Sequence, residues 1–143
     1  MKYIKTFESI EFNDPYDEYI NNFKKFCEEY LAYIIDEGFS ISIKDNKVHY
    51  KPIKINIEPL EGVFKWSEVK YDIIPFLELL SKKYELDGEY GPIELHEDTY
   101  RSTYTLYDVI NGTGDFIRDG YNNDSDDISY ISIYVKQPKP INY

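Results

Sequence analysis

The sequence predicts an α+β fold in two layers, with two amphipathic helices on one face of a mainly antiparallel sheet of four to five strands. Three observations predict it. Apolar residues recur every three or four positions in two long stretches; they alternate with polar residues in the stretches between and after; and the candidate strands follow one another through short connections, which favour antiparallel pairing. With 143 residues the chain has the length of one ordinary domain. We read 1–143 as a single domain, with 1–13 a lead-in segment and 112–127 a long acidic loop.

The first helix is read from Pro15 to Glu37. Tyr16, Tyr19, Ile20, Phe23, Phe26, Cys27, Tyr30, Leu31 and Ile34 form one stripe, Asp14 suits the cap, Pro15 the first turn, and Gly38 the left-handed residue after the last turn. Phe39, Ile41 and Ile43 then alternate as a half-buried strand does, and Asp45-Asn46 is a natural turn. Val48 and Tyr50 set the phase of a second strand, but Ile53, Ile55 and Ile57 have the opposite parity. A bulge near Pro52, or an edge strand starting there, absorbs the slip. Val69, Ile73, Phe76, Leu77, Leu80 and Tyr84 predict a second helix capped by Ser67, in which Pro75 either kinks the run or starts its longer half.

In the last third IELHE predicts a short strand and TYRSTYTLYDVI a longer one. In the latter, Tyr100, Ser102, Tyr104 and Leu106 share one face, and Arg101, Thr103, Thr105 and Tyr107 the other. NGTGDFIRDGYNNDSDD reads as loop, with at most one ordered turn. The last strand, ISYISIYVK, turns Ile131, Ile133 and Val135 inward and Tyr130, Ser132 and Tyr134 outward, until Pro138 and Pro140 end it.

Composition bounds the function. The 16 tyrosines against a modest aliphatic content predict rings at the core margin, each hydroxyl reaching water or backbone. A net charge of −11 excludes general nucleic-acid or anionic-membrane binding, which need clustered Lys and Arg. No run approaches the ~18 apolar residues of a membrane span. The opening MKYIKTFESI lacks the apolar core and cleavage site of a secretory signal, and with Cys27 as the only cysteine no internal disulfide forms. A cytoplasmic location is expected, that of the host cell if the chain is phage-encoded.

Candidate chemistry is sparse. The only histidines are His49 and His96, so a His-centred catalytic pair is hard to build; Glu94, His96 and Asp98 share one side of a strand, but their spacing is not that of a helical metal motif. Asp119, Asp124, Asp126 and Asp127, with Asn122 and Asn123, are hard oxygen donors of the type calcium takes, without the order of a calcium loop. Gly112 and Gly114 in NGTGD permit the positive φ of an anion-cradling nest, although neither the phosphate-loop nor the dinucleotide signature is present. The outward face of the last strands is more informative: if those strands pair, Tyr130 and Tyr134 lie beside Arg101 and Tyr107. Rings and a guanidinium there suit a nucleotide or a protein partner equally.

The opening Met-Lys-Tyr-Ile-Lys-Thr-Phe-Glu-Ser resembles the starts of many small uncharacterised proteins of tailed bacteriophages, which often read Met-Lys-x-Ile-Lys-x-Phe-Glu. Lys outnumbers Arg 14 to 2, in keeping with the AT-rich codons expected of that origin. The opening is also similar to the leader that sends internal proteins into the heads of T-even-type phages. That leader is cut after Leu or Ile, any residue, then Glu, a pattern first met at Ile35-Asp36-Glu37. The resemblance implies a phage accessory protein. We expect a non-enzymatic chain with no cofactor that binds a host or defence protein or a small ligand. The alternatives are a virion-associated structural protein and a metal-dependent hydrolase using the Asp-rich loop.

Overall fold

Helical and strand stretches alternate as the periodicities require in a computed structural model that describes residues 15–45, 51–88, 91–98, 100–121 and 127–137. Helix α1 (Pro15–Tyr30) continues into a short α2 (Ala32–Asp36). Where one helix was expected, the backbone bends at Leu31, which is fully buried. Its amide still donates to the Cys27 carbonyl at 3.0 Å, so the break is a local bend in a continuous ladder. Gly38, at φ 97°, ends the run.

Strands β1 (Phe39–Lys44) and β2 (Ile53–Pro59) pair antiparallel, with Ile41 opposite Ile57 and Ile43 opposite Ile55. The strand does start after Pro52, but β2 is an interior strand, because β5 (Tyr130–Val135) pairs with its other side. Pro52 precedes the ladder, where its missing amide hydrogen removes no bond. Val48 and Tyr50 lie outside the described residues. Helix α3 (Trp66–Lys83) runs unbroken through Pro75. The bond Pro75 cannot make is the one to the Tyr71 carbonyl, on a face where Tyr71 is 78% exposed and water can replace it. Its cap is Lys65 rather than Ser67: the Glu68 carboxylate accepts the Lys65 amide at 2.6 Å.

Strands β3 (Ile93–His96) and β4 (Arg101–Tyr104) form a hairpin, and the complete sheet is antiparallel in the order β1-β2-β5-β3-β4. The last strand of the chain therefore lies in the middle of the sheet. Its odd-numbered face, with Ile53, Ile55, Ile57, Ile93, Leu95, Ile131, Ile133 and Val135, joins Phe23, Leu31, Trp66, Ile73 and Leu77 of the helical layer in one core. No helix among the described residues is long and apolar enough to cross a membrane.

Two expectations for the last third need correction. The strand expected through Tyr107 stops at Tyr104: Thr105 caps a helix, α4 (Leu106–Asn111), by accepting the Asp108 amide at 3.2 Å. The stretch at 112–127 holds the one ordered turn allowed for it, α5 (Gly114–Arg118), but it is not a mere surface loop: Phe116 is completely buried, and Tyr121 follows it into the core. Tyr104 and Tyr121 are likewise not marginal rings. Both are buried, and their hydroxyls donate to carboxylates, Tyr104 to Asp119 at 2.5 Å and Tyr121 to Glu97 at 2.8 Å. Burial, together with those carboxylates, raises both phenol pKa values.

Candidate functional site

Because side chains alternate along a strand, the even-numbered residues of β2, β3 and β5 point away from the helices. The register aligns them in rows. One row crosses all five strands: Ser42, Asn56, Ser132, Glu94 and Thr103 are successive cross-strand partners. A second row is Tyr130, His96 and Arg101, and a third sets Lys54 opposite Tyr134. An open sheet face normally keeps its polar groups wet. Here Asn56, Ser132, Glu94 and His96 are all buried, at 3%, 0%, 5% and 8% exposure. Tyr130 helps roof them by stacking on the His96 ring at 3.9 Å, and Tyr134 by reaching across to Glu94.

The buried groups bond to one another, as burial in a low-dielectric site demands. Ser132 donates its hydroxyl to Asn56 Oδ1 at 2.7 Å. Glu94 Oε1 accepts from the Tyr134 hydroxyl at 3.0 Å and from His96 Nε2 at 2.5 Å. Its other oxygen, Oε2, is met among the described residues only by Arg101 Nε at 3.9 Å, an ion pair too long to be a hydrogen bond. Glu94 and Tyr134 also line a pocket of about 260 Å³, completed by Pro52, Asp87, Gly88, Gly91 and Thr103.

Ser132, His96 and Glu94 are the residue types of a hydrolytic triad, but they are not arranged as one. A relay needs the acid on one imidazole nitrogen and the hydroxyl on the other. Here Nε2 serves both, with Ser132 Oγ 3.4 Å away and Glu94 at 2.5 Å. The contact with the carboxylate assigns the proton to Nε2, so that nitrogen cannot also act as base toward Ser132, whose own proton is committed to Asn56.

Burial pushes the His96 pKa below 6.5; the Glu94 carboxylate opposes that shift, and Lys54 and Arg101 add to it. A buried neutral imidazole binds its proton at lower pH than the unfolded chain does. Between the folded pKa and 6.5 the unfolded state holds more protons, so stability rises with pH across that window and is lost as pH falls through it. We expect the urea midpoint to drop between about pH 7.5 and about pH 5.5 more steeply for the wild type than for His96→Gln. Equal slopes would show that His96 is not the group responsible.

The residues named from sequence divide into those the fold gathers and those it separates. Arg101, Tyr130 and Tyr134 share the open face, although β3 lies between β4 and β5. Tyr107 is on α4, 69% exposed and away from that face. Gly112, at φ 63°, ends α4. Gly114 does provide the close approach a nest needs, but the anion is internal: a Cβ there would lie 2.5 Å from Asp108 Oδ2, and Thr113 donates to the same carboxylate at 2.9 Å. Asp119 is engaged by Tyr104, while Asp124 and Asp126 lie outside the described residues. Among the described residues no three His, Cys, Asp or Glu side chains are placed to hold one metal ion, and Asp98 lies past the end of β3.

Sequence reasoning paired Glu94 with His96 only as metal donors; it gave Ser132 and Thr103 a strand face but no role, and it missed Asn56 and Lys54. The signal available for Asn56 was a polar residue in an otherwise isoleucine-rich run. What defines the molecule as a class is an α+β domain with one polar, partly roofed sheet face. No protein-family model, curated protein or solved structure matches this chain.

Proposed function

We propose that the chain is a non-enzymatic binding protein that holds a basic segment of a partner protein on the open face of its sheet. The observation carrying this reading is Glu94: a carboxylate buried to 5% exposure on the wall of a small pocket, its Oε2 meeting among the described residues only Arg101 Nε, at 3.9 Å. A buried carboxylate in that condition favours a cationic donor. The volume of about 260 Å³ is below the ~300–1,000 Å³ of sites for whole small molecules, and it suits a single Lys or Arg side chain inserted as an anchor. Asp87 on the pocket wall adds a second carboxylate, and Tyr134 on that wall and Arg101 on the same sheet face are of the kinds enriched in interface hot spots. At −11 the chain steers a basic surface toward itself and repels an acidic one. The resemblance of the first nine residues to phage proteins makes a host or defence protein the natural partner.

Thr103 allows a direct test because it is exposed, lies on the pocket wall and belongs to an edge strand that tolerates substitution. Thr103→Arg would place a guanidinium where the partner's cation belongs. A protein captured by the wild type from a bacterial host lysate should be lost with Thr103→Arg and retained with Thr103→Ser. Equal capture by all three chains would remove the pocket from the interface. If native mass spectrometry instead shows added mass of a few hundred daltons that Thr103→Arg abolishes, the occupant is a small cationic ligand.

A further inference from the structure

The helical layer, on the opposite side of the sheet, carries a second concavity of about 720 Å³ between α1 and α3. Its lining reverses the character of the chain: Lys25, Lys82 and Lys83 face it against the single carboxylate of Glu29. None of the three lysines makes an ion pair among the described residues. Between them is a wall of rings. Tyr84 meets Tyr19 edge-on at 5.7 Å and Phe26 at 5.5 Å, and Phe26 lies against Tyr30 at 4.8 Å. The Lys83 ammonium sits 5.3 Å above Phe26 and 5.9 Å above Tyr84. Tyr30 is 45% exposed, so a ring surface is open to the groove.

From this juxtaposition we propose that the groove binds a small planar anion of the nucleotide class, its ring against Tyr30 and Tyr84 and its phosphate on Lys25 and Lys82. Aromatic faces stack on any base, and ammonium groups donate hydrogen bonds to phosphate. The volume is within the ~300–1,000 Å³ range of small-ligand sites. Local lysines act on a compact anion within one Debye length, ~8 Å at physiological ionic strength, whereas a long polyanion also meets the repulsion of the whole chain at −11. A mononucleotide therefore fits better than nucleic acid or an acidic protein.

The test is calorimetric titration of the full chain with AMP at low ionic strength, with adenosine and inorganic phosphate titrated in parallel. AMP should bind at least about tenfold more tightly than either half, and Lys25→Ala with Lys82→Ala should weaken it by about tenfold or more, steeply with added salt. Tyr30→Ala should weaken AMP and adenosine alike. Thr103→Arg should leave AMP binding unchanged, so failure at the sheet face and failure in the groove are separable. Absent AMP binding, AMP binding indifferent to both lysines, or preference for an acidic tyrosine-containing peptide over AMP would each overturn the proposal.

Discussion

Phe116→Ala is expected to lower the unfolding free energy by about 3–5 kcal/mol, the range for deleting a fully buried phenylalanine ring. Phe116 is 0% exposed, and its ring meets Trp66 at 5.2 Å, Tyr104 at 5.2 Å and Tyr121 at 5.6 Å. The three large rings that remain cannot collapse into the space it leaves, and edge-to-face pairs contribute about 0.5–1.5 kcal/mol each beyond burial. The effect reaches further because α5 spans only Gly114–Arg118, too short to persist without tertiary contacts. Losing its anchor frees the segment that presents Asp119 to Tyr104. Urea denaturation checks the value, with Ile117→Ala as reference; Ile117 is 53% exposed and should shift stability by about 0.5 kcal/mol or less. A difference between the two variants below about 1 kcal/mol would mean that Phe116 does not hold this segment.

Gly91→Ala is expected to destabilise the chain by at least about 3 kcal/mol, combining strain at positive φ with a backbone collision. Gly91 sits at φ 136°, and an added Cβ would lie 2.1 Å from the Tyr104 carbonyl oxygen. Neither atom is the end of a flexible side chain, so the methyl fits only if β3 and β4 move apart. That would break the pairing of Glu94 with Thr103 and open the pocket they line. Gly38→Ala separates the two causes: φ is 97° there, but nothing lies within 4 Å of the added atom, so only the dihedral cost of about 1–2 kcal/mol applies. Similar losses at both positions, measured by thermal unfolding, would show that the close approach of Gly91 to β4 is not a constraint.

Where a residue's environment is set by its own neighbours in sequence, the reading and the structure agree. Apart from Tyr30, which is exposed, the stripe from Ile20 to Ile34 and the one from Val69 to Leu80 both face the core, as their spacing dictates. The inward parity of Ile131, Ile133 and Val135 also holds, since alternation needs no knowledge of partners. Agreement ends where two local signals compete. Thr105 reads as a strand residue by β-branching and parity, but its hydroxyl caps α4, which carried Tyr107 off the sheet face. Phe116 sits among turn-formers and charges, and only the ring cluster beneath it makes that stretch helical and buried.

The sequence alone determined the α+β class, the order of the two long helical stretches and the strands around them, the inward face of the last strand and the acidity of the chain. These follow from period, composition and charge, which are properties of residues close together in the chain or summed over it. Only the tertiary structure decided that β5 enters the middle of the sheet, and with it which polar residues meet. Asn56, Glu94 and Ser132 stand at three distant points of the chain and form one row because strand order and register align them. A one-residue slip in register would turn each of them to the opposite face. The lysines of α1 and α3 likewise face one groove only because both helices pack on the same side of the sheet. Pairing across the fold depends on the summed burial of the whole core, and no short stretch of sequence carries that sum.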